Sequence, residues 1–277
     1  MSNKQETMGA VHGVYLKYVG LSALSYLGCR LLQPETTEDA ILPLLPCLLL
    51  GYASVVNGLI AFLFVTERGM MIIGKDPRTG TIPWWSYLIW CPFHVPTRLY
   101  THLHTWYGKY LHTPPVPVAT EVQPGWWIGG CYGHELNKTW AAIVDLTVEF
   151  SETCCASTTT TTQQQQAQAQ TYVSAPTWDG IPLAPADLER VAIFAVAAQK
   201  QKPGGARGDV LVHCAHGRGR STTVMCACLV KAGLYDHWQT AFEQGIKPHR
   251  PVCKLNTRMR ENLTVWQAEF MDGKKGA

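Results

Sequence analysis

Val210-Leu211-Val212-His213-Cys214-Ala215-His216-Gly217-Arg218-Gly219-Arg220-Ser221 is the stretch on which the reading of this chain turns. A short apolar run bounded by turn residues reads as a buried strand. It ends at a cysteine, two glycines follow within five residues, and an apolar helical pattern occupies 221–232. A strand that passes into a helix through so short a turn gathers successive backbone N–H groups into a concave nest. The helix N-terminus adds the positive end of its dipole, and the result is an oxyanion site. Gly217 and Gly219 remove Cβ atoms where the chain must curl. Arg220, six residues after Cys214, can fold back and offer a two-pronged fork to a tetrahedral anion.

The same field acts on the thiol. A free cysteine is only a few per cent ionised at neutral pH, and helix N-termini and cations lower its pKa to about 3.5–7.5. A thiolate inside an anion cradle points to nucleophilic attack on phosphorus. Cys214 would form a cysteinyl-phosphate while Ala215, His216, Gly217, Arg218, Gly219 and Arg220 hold the equatorial oxygens. This chemistry calls for no metal and no cofactor.

Residues 213–221 match the H-C-x-x-G-x-x-R-S signature of the cysteine-dependent protein tyrosine phosphatase superfamily, and the flanking sequence resembles its dual-specificity branch. A cysteine and an arginine six apart carry little alone; His213, Gly217 and Ser221 make the motif specific. The resemblance covers about 121–268, with 124–130 like the branch's opening strand, 144–149 like its second, and 250–256 like the segment after its fourth helix. It implies an acid Asp on a loop upstream. Asp179, in Pro176-Thr177-Trp178-Asp179 and 35 residues before the thiol, fits that context better than Asp187 at a helix start. The plain alternative for Asp179 is a residue that opens a turn before Gly180. The resemblance also implies that the Ser221 hydroxyl assists breakdown of the phosphoenzyme. It implies too that His213 tunes the thiol through hydrogen bonding and binds no metal.

Around the motif, short β-like runs at 126–128 and 142–146 alternate with helical patterns at 185–199, 237–244 and 257–269. Such alternation predicts an α/β fold with a central, mainly parallel sheet flanked by helices. The predicted domain spans 121–270, after a stiff proline-containing linker at 113–120. It carries a Thr/Gln-rich insertion at 156–171, read as flexible because it holds too little apolar surface to order itself.

Composition points elsewhere for the first third. Only 16% of residues are charged, against about 25% in soluble domains. The apolar excess lies in 14–32, interrupted by Lys17 and ending at Cys29-Arg30, and in 40–65, which has no charge. About 20 apolar residues cross a bilayer core, so 1–112 reads as a membrane region with a transmembrane helical hairpin. The loop between the runs is acidic, whereas Lys4, Lys17, Arg68, Lys75 and Arg78 flank them. That bias predicts a multi-pass membrane protein whose catalytic domain faces the cytosol. The proline-broken, aromatic-rich 82–111 reads either as an interfacial segment in the headgroup plane or as a helix packed on the following domain. His102 and His104, two apart on a helix, face different ways and make no metal pair.

Eight basic against six acidic residues over 1–119, and fifteen against fourteen over 120–277, give no basic footprint for a nucleic-acid partner. The ten cysteines include no C-x-x-C pair, which favours free thiols over a zinc site or disulfide scaffold. The expected function is a dual-specificity protein phosphatase acting on phosphotyrosine and phosphoserine or phosphothreonine. The alternatives are a membrane lipid phosphatase, acting on phosphatidylglycerophosphate or a phosphoinositide, and an inactive phospho-binding module. The intact Cys214, Asp179 and Arg220 count against the module. Arg218 resembles the extra cation of phosphoinositide-directed relatives; where these often carry a second basic residue, this chain has Ala215, with His216 as a partial substitute.

Overall fold

The computed structural model describes residues 13–33, 41–154, 172–200 and 208–272. The predicted flexible insertion and most of the acidic loop lie outside the described residues. The sheet comprises β1 (Ala119–Gln123), β2 (Trp126–Gly129), β3 (Ala142–Asp145), β4 (Tyr172–Ser174) and β5 (Val210–His213). Their order is β1-β2-β5-β3-β4, and β2, β5, β3 and β4 run parallel while β1 is antiparallel to β2. The mainly parallel sheet is thus present, with an antiparallel edge.

Helices complete the chain in the order α1 (Tyr15–Leu31), α2 (Ile41–Val65), α3 (Trp84–Ile89), α4 (Cys91–Tyr110), α5 (Pro185–Lys200), α6 (Arg220–Lys231), α7 (Trp238–Thr240) and α8 (Thr257–Gln267). The expected helix at 237–244 is divided: α7 passes into a π-helical turn, Ala241–Ile246.

The central position of β5 follows from its composition. Its four residues are all buried: Val210 and Val212 face the helical core, while Leu211 lies in a second cluster with Trp140, Ile143, Cys154 and Tyr172, so the strand must be apolar on each side. α6 is likewise buried from Arg220 to Val230: Val224 to Val230 join the core, and the polar Thr222 and Thr223 of its first turn donate their hydroxyls to Arg218 O and Gly219 O. Cys226 and Cys228 act there as small hydrophobes. Leu188, Val191, Ala192 and Ala195 of α5 join Met259, Leu263 and Trp266 of α8 in the same core. Asn256 starts α8 by accepting the Met259 N–H at 2.8 Å, an N-cap bond. Every described cysteine is a free thiol.

α1 and α2 form an antiparallel pair: Ser22 donates to the Ser54 carbonyl at 2.8 Å, and the Cys29 and Cys47 sulfurs lie 3.0 Å apart. Leu24, Leu27, Leu48, Val55 and Phe62 point outward and are exposed. Among the described residues, Leu44–Val65 is the one helix long and apolar enough to cross a membrane. α1, at 17 residues, rises about 26 Å, short of a hydrocarbon core of about 30 Å.

At its other end the hairpin is packed on the sheet domain. Ile60 and Phe64 of α2 and Phe93 of α4 share a cluster with Val148, Trp178 and Ile181. The 82–111 aromatic run is divided accordingly. Phe93, with the polar His94 and Thr101, faces inward and is buried, whereas Trp84, Trp106, Tyr107 and Tyr110 are exposed. Residues 113–117 fold back, with the Val116 N–H on the Gly108 carbonyl at 2.8 Å.

Candidate active site

The turn after β5 closes into a cup because its carbonyls are tied outward. Ala215 O accepts from the Cys131 N–H at 3.2 Å and Arg218 O from the Lys254 N–H at 2.9 Å. Arg250, buried beneath the turn, donates Nε to Gly217 O at 2.9 Å and Nη2 to His216 O at 3.4 Å. The carbonyl and N–H of a trans peptide point in opposite directions. Turning these four carbonyls out therefore turns the N–H groups of His216, Gly217, Arg218 and Gly219 in. Gly217 has φ +66°, and a Cβ there would stand 2.5 Å from the Gly129 carbonyl carbon. Glycine is required at this position.

Cys214 begins this cup, 3% exposed, with Sγ 3.5 Å from the Ser221 hydroxyl. Burial by itself would push the thiol up, but the Arg220 guanidinium and the Ser221 hydroxyl outweigh it, and the thiol lies below its ordinary value. His213, one residue back, is buried with Nε2 2.7 Å from Glu152. Although burial disfavours the imidazolium, the Glu152 and Asp145 carboxylates hold it up to about 9.

Arg220 is also buried. Its end-on pair embraces Glu149, with Nη2 on Oε1 at 2.6 Å and Nη1 on Oε2 at 3.4 Å. Nη1 also donates to Leu146 O at 3.0 Å and Thr177 O at 2.6 Å. The side-on edge is different: Nε is buried without a hydrogen-bond partner in the structure. It faces Asp179 Oδ1 at 3.4 Å. Nε and the adjoining Nη2 hydrogen thus form the fork left for an anion in the cup.

Asp179 does sit in a turn, closed by the Ile181 N–H on Trp178 O at 3.0 Å, but its carboxyl is 38% exposed and aimed at Arg220. Burial would raise it; the Arg220 guanidinium, with a smaller contribution from Lys17, brings it below the usual carboxylate range. A cleft of about 640 Å³ opens over the cup, lined by Cys214, Asp179, Arg218, Lys17, Tyr100 and His104. His216 is a poor substitute for a basic residue, since burial lowers it to about 3 and leaves it neutral. Its ring packs 4.6 Å from that of His104, itself lowered by burial.

Asp145, Glu152 and His213 bring three donor atoms within 4.8 Å of one another, all buried. The set is already occupied: Lys75 makes an ion pair with Asp145, and the imidazole is committed to Glu152. A second cation does not fit its charge balance.

Glu149, Arg250 and Lys75 are the supporting residues that sequence reasoning missed. Each is an ordinary charged residue until the fold brings it to the cup. Glu149 reaches Arg220 across 71 positions and Lys75 reaches Asp145 across 70. No periodicity marks pairs of that kind.

No family model matches the chain, and no curated protein matches it. Solved structures do. Tk-PTP in its active form is 17% identical over 56% of this chain and 99% of its own, with a TM-score of 0.43. Human DUSP28 is 22% identical over 55% of this chain and 94% of its own, with a TM-score of 0.40. PTPMT1 in complex with PI(5)P is 18% identical over 58% of this chain and 100% of its own, with a TM-score of 0.42.

Proposed function

We propose that this chain is a phosphomonoester hydrolase that works through a cysteinyl-phosphate, of the dual-specificity kind that takes phosphotyrosine and phosphoserine or phosphothreonine. The observation that carries the reading is the side-on edge of a buried Arg220, which makes no hydrogen bond at Nε and faces the Asp179 carboxyl beside the Cys214 thiol. The thiolate attacks phosphorus, so a P–S bond forms as the P–O ester bond breaks. Asp179 gives its proton to the leaving oxygen, while the inward N–H groups and the Arg220 fork hold the equatorial oxygens. Water then attacks phosphorus, Asp179 takes back a proton, and inorganic phosphate leaves. The Ser221 hydroxyl steadies the departing thiolate.

A membrane lipid substrate is the second reading, favoured by Lys17 and Arg218 in the cleft wall and by the membrane-length helix Leu44–Val65. On that reading the protein is membrane-anchored with its catalytic domain facing the cytosol.

The test is turnover of p-nitrophenyl phosphate, phosphopeptides and phosphorylated lipids in micelles by the full chain and by Cys214→Ser. The variant is expected to lose all three activities, and persistent turnover would overturn the nucleophile. The ratio of the wild-type rates on peptide and lipid decides between the substrates.

A further inference from the structure

The segment between α2 and α3 is laid over the domain that follows it. Trp178 Nε1 donates to Arg68 O, the Glu152 N–H to Gly80 O and the Ile82 N–H to the Ser151 hydroxyl, all at 2.9 Å. Gly80 has φ +69°, and a Cβ there would stand 2.3 Å from the Tyr172 hydroxyl oxygen, so only glycine permits the approach. From the middle of this segment Lys75 enters the interior, 2% exposed. Its ammonium pairs with the Asp145 carboxylate and donates to Thr147 O at 2.8 Å and Thr147 Oγ1 at 2.9 Å. Asp145 ends β3 directly beside His213 of β5 in the sheet register. His213 is the residue before Cys214.

We propose that Lys75 is a positioning residue for the nucleophile: paired with Asp145, it balances the charge of the Asp145–His213–Glu152 cluster and fixes the strand end that carries Cys214. The proposal rests on the cysteinyl-phosphate reading. Two carboxylates around one imidazolium leave a net negative charge, and Lys75 cancels it. Without that cancellation the cluster stands as an anion behind the thiolate and disfavours its formation. The other groups facing the cluster are the Tyr172 hydroxyl, on Asp145 at 2.9 Å, and the Cys131 thiol, which burial keeps protonated. Those facing Cys214 are Arg220, Asp179, Cys131, Arg250 and Cys253, together with the neighbouring Arg218.

The experiment is the pH dependence of Cys214 alkylation by iodoacetamide, read by peptide mass spectrometry on the detergent-solubilised full chain. It is run on wild type, Lys75→Met and Asp145→Asn. Lys75→Met should move the alkylation midpoint upward by about half a pH unit or more, and Asp145→Asn, which leaves Lys75 in excess, should move it downward by a similar amount. A folded variant of either kind with the wild-type midpoint would overturn the proposal, since a merely structural lysine changes stability and not this midpoint. If Lys75→Met does not fold, the near-isosteric Asp145→Asn decides alone. Wild-type turnover of p-nitrophenyl phosphate, measured alongside, separates failure of this proposal from failure of the phosphatase reading.

Discussion

A guanidinium carries five N–H groups in a rigid plane, and Arg220 divides them by direction. The end-on pair and its neighbours hold Glu149 and two carbonyls, which fixes the plane; the side-on edge is what a phosphate would meet. Lysine offers neither plane nor edge, so Arg220→Lys should lower kcat on p-nitrophenyl phosphate by about 10²-fold or more. Asp179 poses a different problem, because an acid held below the usual carboxylate range is ionised when the site is empty. A bound phosphate dianion adds negative charge beside it and raises its pKa. The alkaline limb of kcat should therefore lie at higher pH than that of kcat/KM, and Asp179→Asn should abolish it, as full pH–rate profiles would record. The acid limb belongs to Cys214, which must be ionised to attack.

At the scale of elements, what was legible in the sequence was local. The strand–turn–helix of 210–232 is specified by consecutive residues: an apolar run, glycines in the turn, and a helix that is apolar from Val224 to Val230. The α5 and α8 faces follow from helical spacing. β1 and β4 were not legible because strands of five and three residues owe their existence to partners distant in sequence. The buried cluster at the end of β3 and β5 was equally hidden, and it makes a stability prediction. His213 is raised from 6.5 to about 9, so its contribution is whole below about 6.5 and is lost as pH rises through about 9. Asp145 and Glu152 are lowered from 3.8 and 4.5, so theirs is present above those values and is lost as pH falls through the lowered ones. The urea midpoint should accordingly be flat between roughly pH 5 and 6.5 and decline on either side. A profile flat through pH 9 would contradict the assignment of His213.

At the scale of the whole molecule, the N-terminal third is more than an attachment. It supplies Lys75 to the interior, Lys17 to the cleft and Phe64 to the ring cluster beneath the acid loop. Removing 1–112 uncovers Val148, Trp178 and Ile181, each worth about 1.5–3 kcal/mol of burial. It also takes Lys75 away from Asp145, and breaking a buried pair costs about 3–5 kcal/mol. These sums approach the net stability of a typical domain. The fragment 113–277 should therefore aggregate or unfold at far lower urea than the full chain and lose turnover. A soluble fragment with the parent's rate would reduce the hairpin to an anchor. Trp178 stacks on Phe64 of α2 at 4.8 Å and meets Phe93 edge-on at 6.3 Å, one residue before the proposed acid. The proposed proton donor thus hangs from a greasy post on α2 and α4: if the chain is membrane-anchored as proposed, two aromatic plates would carry a tilt of α2 to Asp179, and bilayer thickness would become a variable in the chemistry.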